Sequence, residues 1–363
     1  MASIDDRVRD LIQRSGVSQQ SFARSVGLDP TKLSKSLNGA RRFSSLDLAR
    51  IAERCATTVD WLLTGVEPEL ALAARTTGGS AASAVDEALR LADVRKDMAS
   101  LGFAQPWQPL TVNSSLSWAE QGYDLAIAAL DRVADAGRSS AEPDLADVVE
   151  LVFGADVAVA QLGQAFDGLA VGSPDARLVV LATSSNAARQ RFTLAHELGH
   201  LLADDDQELH LDPDVFANRR DPSEIRANAF AAGLLMPAAR LERVVQSGLT
   251  EASFATLACD LGVSPSALAY RMKHLRLIDA GDCDRLRQLT VARAAQVSGR
   301  TDELSRRVVE ASSLRPPGLL TRDAYRAYTT GRATLRPYAN LIGGDVDAVR
   351  NALESVYGPS DDA

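Results

Sequence analysis

The chain has 363 residues, with 39 Lys or Arg and 48 Asp or Glu for a formal net charge of −9, and 46% of it is hydrophobic. That is ordinary for a soluble globular protein with two or three cores. It excludes a membrane-spanning helix, which needs about 18 consecutive apolar residues, and a disulfide framework, because the three cysteines (Cys55, Cys259 and Cys283) are odd in number and far apart.

Taken in order, residues 1–65 read as short helices joined by tight turns. The opening MASIDDRVRDLIQR is charged and lacks the apolar run of a signal peptide, so a cytoplasmic setting is expected. Ser18 and Asp29 are N-cap residues, Pro30 suits a first helical position, and Gly16, Gly27 and Asn38-Gly39 are stops. This head holds 10 basic and 7 acidic side chains, whereas the rest of the chain holds 29 and 41. A mildly basic head on an acidic body is the asymmetry expected if the head alone meets nucleic acid.

A small-residue linker, RTTGGSAASA (75–84), follows. Residues 85–100 and 118–136 are helical in pattern, with a proline-containing irregular stretch between them, and 144–154 reads as an amphipathic helix. The period then shortens to that of strands in DVAVAQL (156–162), AFDGLAV (165–171) and ARLVVLAT (176–183). A helix over 187–203, a polar loop over 204–222, a helix over 223–237 and two or three short helices to 280 come next. Residues 281–356 are again helical in pattern, with two helices around Gly343-Gly344 and no residues that suggest chemistry.

The helix over 187–203 carries RFTLAHELGHLLA, an apolar run holding His196, Glu197 and His200. Histidines at i and i+4 project from one face and can share one metal ion. Glu197 is placed to take a proton from an attacking water. A catalytic zinc needs a third protein ligand. The candidates are His210, the carboxylates of 204–221 and Glu224. Glu224 is preferred, because it opens an apolar helix in which a carboxylate otherwise lacks a reason. Asn228, one turn on, is expected to hydrogen-bond that ligand from outside. Asp204, Asp205 and Asp206 read as a solvated run. His210 reads as a solvated histidine or as a donor to a transition-state oxyanion. Gly199 costs the helix about 1 kcal/mol relative to Ala, so a strand or the substrate is expected to approach the backbone there.

RFTLAHELGHLL followed by EIRANAFAAGLLMP resembles the ImmA/IrrE family of metallopeptidases, with the family's H-E-x-x-H, E-x-x-x-N and F-A-A-x-L-L-M-P positions intact. The resemblance covers about 140–280 well and 281–356 loosely. It implies a catalytic Glu197, the ligands His196, His200 and Glu224, and Zn2+, with Mn2+ as the alternative. The implied substrate is a repressor or antitoxin-like protein, or the chain itself.

The segment GVSQQSFARSVGLDPTKLSKSLNGARRF resembles the repressor-type (XRE, Cro/cI) helix-turn-helix. That implies a double-stranded DNA operator, bound as a homodimer. Base readers by position are Pro30, Thr31, Lys32, Ser34 and Lys35, and Gln19, Arg41 and Arg42 are placed for the backbone. Pro30 and Asp29 depart from the amide side chains that many repressors carry.

The expected fold is mainly α with a small β-sheet. A helix-turn-helix domain occupies 1–66, a linker and helical connector 67–117, an α+β zincin-like metallopeptidase domain 118–280, and a helical region 281–363. The expected function is a DNA-binding regulator with a zinc endopeptidase. The alternative is a repressor whose peptidase-like domain is a non-catalytic metal sensor or dimerisation module.

Overall fold

The computed structural model describes residues 4–15, 17–55, 62, 82–162, 167–205, 210–211 and 221–357. The chain divides between residues 77 and 78 into two units, each considered by itself. Most of the linker RTTGGSAASA and the run TVDWLLTG, apart from Leu62, lie outside the described residues, as do Asp206 and the acidic tail.

The first unit contains α1 (Ile4–Arg14), α2 (Gln19–Ser25), α3 (Pro30–Leu37) and α4 (Ser45–Arg54). The start signals act as their chemistry requires. The Ser18 side chain accepts from the Ser21 amide, and Asp29 accepts from the amides of Thr31 and Lys32. Gly27 and Gly39 take the left-handed conformation that ends α2 and α3. Phe22, Leu33, Leu37, Leu48 and Ile51 close a core of their own.

The second unit is mainly helical around one small mixed sheet. Its described elements are α5 (Ala82–Ser100), α6 (Trp118–Asp135), α7 (Leu145–Val148), β1 (Asp156–Ala160), β2 (Gly168–Ser173), β3 (Ala176–Ala182), α8 (Ala187–Ala203), β4 (His210–Leu211), α9 (Pro222–Leu235), α10 (Ala238–Gln246), α11 (Glu251–Leu261), α12 (Pro265–His274), α13 (Ala280–Leu286), α14 (Val291–Ser298), α15 (Thr301–Ser312), α16 (Gly318–Thr329), α17 (Arg336–Leu341) and α18 (Val346–Tyr357). The strand order is β1-β3-β2-β4. β1 and β3 run parallel, with Val157 opposite Val179. β2 and β3 form an antiparallel hairpin with Leu169 opposite Val180, and the short β4 pairs its backbone with Leu169 and Ala170 on the far side of β2.

One expected helix differs in form. Residues 144–154 make a single α-turn, α7, that widens into a π-turn over Val149–Phe153 and stops at Gly154 in the left-handed region. Glu150 in that turn is buried. It accepts from the amides of Val157 and Gly318 and pairs with Arg315.

Contacts tie the connector and the C-terminal region into the unit. Arg95 on α5 donates to both oxygens of Asp156 on β1, at 2.7 and 2.9 Å, and to Asp323 on α16 at 2.8 Å. Arg315 exchanges both backbone hydrogen bonds with Val159 of β1. Among the described residues, no helix is long and apolar enough to cross a membrane.

Candidate metal centre

α8 starts on Asn186, whose side chain accepts from the Arg189 amide. Its apolar residues bury it between the sheet and α9. His196, Glu197 and His200 are buried with it. α9 starts on Asp221 with Pro222 at its first position, which places Glu224 in the first turn.

The two helices meet at Gly199. A Cβ there would lie 2.9 Å from the Phe230 ring and 3.3 Å from the Ala227 Cα. The element that approaches the backbone is thus a helix, rather than the strand or substrate expected from sequence. The close approach brings Glu224 onto the histidine face.

Nε2 of His196 lies 3.1 Å from Nε2 of His200. The Glu224 carboxylate lies 3.2 Å from each ring, one oxygen to each. Among the described residues this is the group of His, Cys, Asp and Glu side chains able to hold a metal ion. Bonds of about 2.0–2.1 Å at a tetrahedral angle set donor atoms roughly 3.3 Å apart. The three observed separations form one face of such a tetrahedron and leave the fourth corner for another ligand. Two imidazole nitrogens facing each other at this distance also need a shared proton or cation between them. The donor set therefore fits a zinc-type ion.

Burial pushes the Glu224 carboxyl up, but hydrogen bonds from His196 and His200, and their charge, outweigh it and hold it well below the usual carboxylate range. Glu197 is buried beside His196 on the same helix.

Two readings of nearby residues change. Asp205 does not belong to a solvated run. Its carboxylate lies 3.0 Å from Nδ1 of His200, is 7% exposed, and pairs on its other side with Arg226 of α9. The chain gets it there by a left-handed residue, Asp204 (φ 51°), just past α8, after which the Asp205 amide bonds back to the His200 carbonyl. Arg226 is held by Gln121 of α6 at 3.1 Å and lies over the Trp118 ring. An orienting carboxylate on the outer nitrogen of a ligand histidine fixes its tautomer and ring plane. The sequence signal was an arginine inside an apolar helix, which implies a buried counter-ion. Asn228 was expected to fill that outer position. Its amide instead donates to the Glu224 backbone carbonyl at 2.8 Å, one turn back along its own helix, so it braces the helix. The backbone of His210 lies in β4, and its side chain is outside the described set.

In the first unit, Gln19, Thr31, Lys32, Lys35 and Arg42 are exposed, and Pro30 and Ser34 are half-buried. Arg41 is engaged elsewhere, paired with Asp47 at 2.7 Å and donating to the Ser36 hydroxyl. Its guanidinium is committed to the unit's own structure, unlike that of Arg42.

Residues 152–273 match the family model of the IrrE N-terminal-like domain, less than half of the chain. The radiation response metalloprotease IrrE of Deinococcus radiodurans is 34% identical over 106 residues. The alignment covers 27% of this chain, and the chain spans 31% of the length of that curated relative. The segment matched by the family model contains His196, Glu197, His200 and Glu224. These similarities support a metallopeptidase-like domain of the ImmA/IrrE kind at this site.

Proposed function

We propose that the second unit is a zinc-dependent endopeptidase and that the first unit reads double-stranded DNA, so that cleavage of a repressor or antitoxin-like protein, or of the chain itself, switches gene expression. The observation that carries the enzymatic half is the triangle of His196, His200 and Glu224 with Glu197 adjoining it. Bound there, zinc would polarise a substrate carbonyl and lower the pKa of water. Glu197 would take the proton of the attacking water and return it to the leaving amine. Asp205 would hold His200 in register throughout. For the head, the exposed Thr31, Lys32 and Lys35 on α3 support a recognition helix, and a single head implies a half-site and therefore a two-fold dimer.

The test is to incubate the zinc-loaded chain with itself and with host lysate, and to identify new termini by mass spectrometry. Glu197→Gln is expected to keep its zinc and its DNA binding but to make no cut, a loss of at least about 100-fold. Glu224→Ala is expected to lose zinc. Lys32→Ala with Lys35→Ala is expected to abolish the mobility shift of operator DNA and spare cleavage. A discrete cut that survives in Glu197→Gln would overturn the peptidase assignment. No cut by the intact chain, with zinc and DNA both bound, would favour the metal-sensing repressor.

A further inference from the structure

Behind the metal helix the second unit holds a cleft of about 830 Å³, within the range of about 300–1,000 Å³ usual for small-molecule sites. Its walls come from α8, α11, α14, α15 and the sheet, and Leu145, Val159, Leu181, Leu194, Leu304 and Val308 are among the apolar side chains that line it. Arg191 and Leu194 line it from α8. At about 100° per residue, His200 is roughly opposite Arg191 round that helix, so the cleft is separate from the metal centre.

The arginines of the cleft are not equally paired. Four arginines line it (Arg191, Arg300, Arg307 and Arg315) against three carboxylates (Asp144, Glu303 and Glu310). Arg315 is paired with Glu150, Arg300 with Asp260 and Glu303, and Arg307 with Glu303. Among the described residues Arg191 has no carboxylate within ion-pair distance. It donates only to the backbone carbonyls of Pro143 and Ser140. The Nε of Arg191 and the Nε of Arg307 are both buried without an acceptor.

These two guanidinium groups converge on Gly262, the left-handed residue that ends α11. Arg191 Nε and Arg307 Nη1 lie 3.3 and 2.9 Å from the point a Cβ would occupy there. Two like charges held together in a largely buried place, one of them with no carboxylate in contact, are unfavourable as they stand. A bound anion removes both penalties.

We propose that this cleft is a binding site for a small amphipathic anion, with a carboxylate or sulfonate held by Arg191 and Arg307 and an apolar body lying along Leu194, Leu304 and Val308. The electrostatics agree. Burial, and then the charge of Arg307, push the Arg191 guanidinium down to about 10, against the smaller opposing pull of the Asp144 and Glu142 carboxylates, which lie beyond contact distance.

The test uses the zinc-loaded full chain, titrated by calorimetry with 2-naphthoate and with its neutral isostere 2-naphthamide. Saturable binding at one site is expected, with the acid favoured at least tenfold over the amide. Arg307→Gln, whose side chain is partly solvent-exposed, and Arg191→Gln should each shrink that preference to within threefold. Val308→Trp should block both compounds by filling the cleft, with an unchanged circular dichroism spectrum. Absence of saturable binding at millimolar concentration would overturn the proposal. So would equal affinity for acid and amide, or an acid preference that survives Arg307→Gln. Cleavage activity is not the readout, so failure here is distinguishable from failure of the peptidase reading.

Discussion

Asp205 bridges His200 on α8 and Arg226 on α9, so a single carboxylate orients one candidate ligand and neutralises one buried cation. Replacing it with Asn keeps the shape but removes the charge that stabilises the donated ring proton. Asp205→Asn is therefore expected to weaken zinc affinity by about 10–100-fold, measured by competition with a chromogenic chelator. Unchanged affinity would mean that the contact serves α9 packing alone. None of this was readable from the run Asp204-Asp205-Asp206, since three adjacent carboxylates differ only in where the chain turns. The left-handed Asp204 faces solvent, and the next residue turns in towards His200. The histidine pair, in contrast, was readable, because i and i+4 share a face in any α-helix.

α9 packs against α6 as closely as it does against α8. A Cβ at Gly122 of α6 would fall 2.7 Å from the Ala229 Cβ and 2.9 Å from the Phe230 amide nitrogen of α9. Backbone at that distance cannot retreat without moving Glu224, which stands on the same helix. Gly122→Ala is expected to destabilise the second unit by about 1–3 kcal/mol in a denaturant titration, and to weaken zinc binding as well. The junction of α5, β1 and α16 is held differently. Arg95 is 1% exposed and binds both Asp156 and Asp323. Arg95→Met would leave Asp156 buried without a cation and Asp323 with Arg322 alone, at a cost of about 3–5 kcal/mol in unfolding free energy. A loss under 1 kcal/mol would show that water reaches the pair. Sequence patterning found the helices and strands on either side of this junction. It could not pair Arg95 with Asp323, which lies 228 residues away.

Two units with separate cores should unfold separately. The proposed zinc site lies in the second. At a free concentration about 100 times its dissociation constant zinc would add roughly 2.7 kcal/mol to that unit alone. Differential scanning calorimetry is expected to resolve two transitions, one raised by about 5–10 °C on zinc loading and one unmoved. Chelation should reverse the shift. A single transition that moves as a whole would mean that the units fold as one. The sequence reading placed boundaries at 117 and 280, but Arg95–Asp156 crosses the first, and Glu150–Gly318 and Arg95–Asp323 cross the second.

The sequence alone determined what repeats at short range. It marked the strands within a few residues, the bounds of the metal helix, the two histidines on one face of it, Glu224 as the carboxylate without another explanation, and the caps of the head. Each follows from backbone periodicity or from a side chain reaching an amide two or three residues away, which local spacing specifies. The tertiary structure decided the rest: Asp205 rather than Asn228 behind the candidate ligands, a helix rather than a strand against Gly199, Arg41 turned to Asp47, and an arginine in a cleft with no carboxylate in contact. Those outcomes depend on which surfaces meet. That is set by the summed burial of many side chains and by the few points where small residues let two backbones approach.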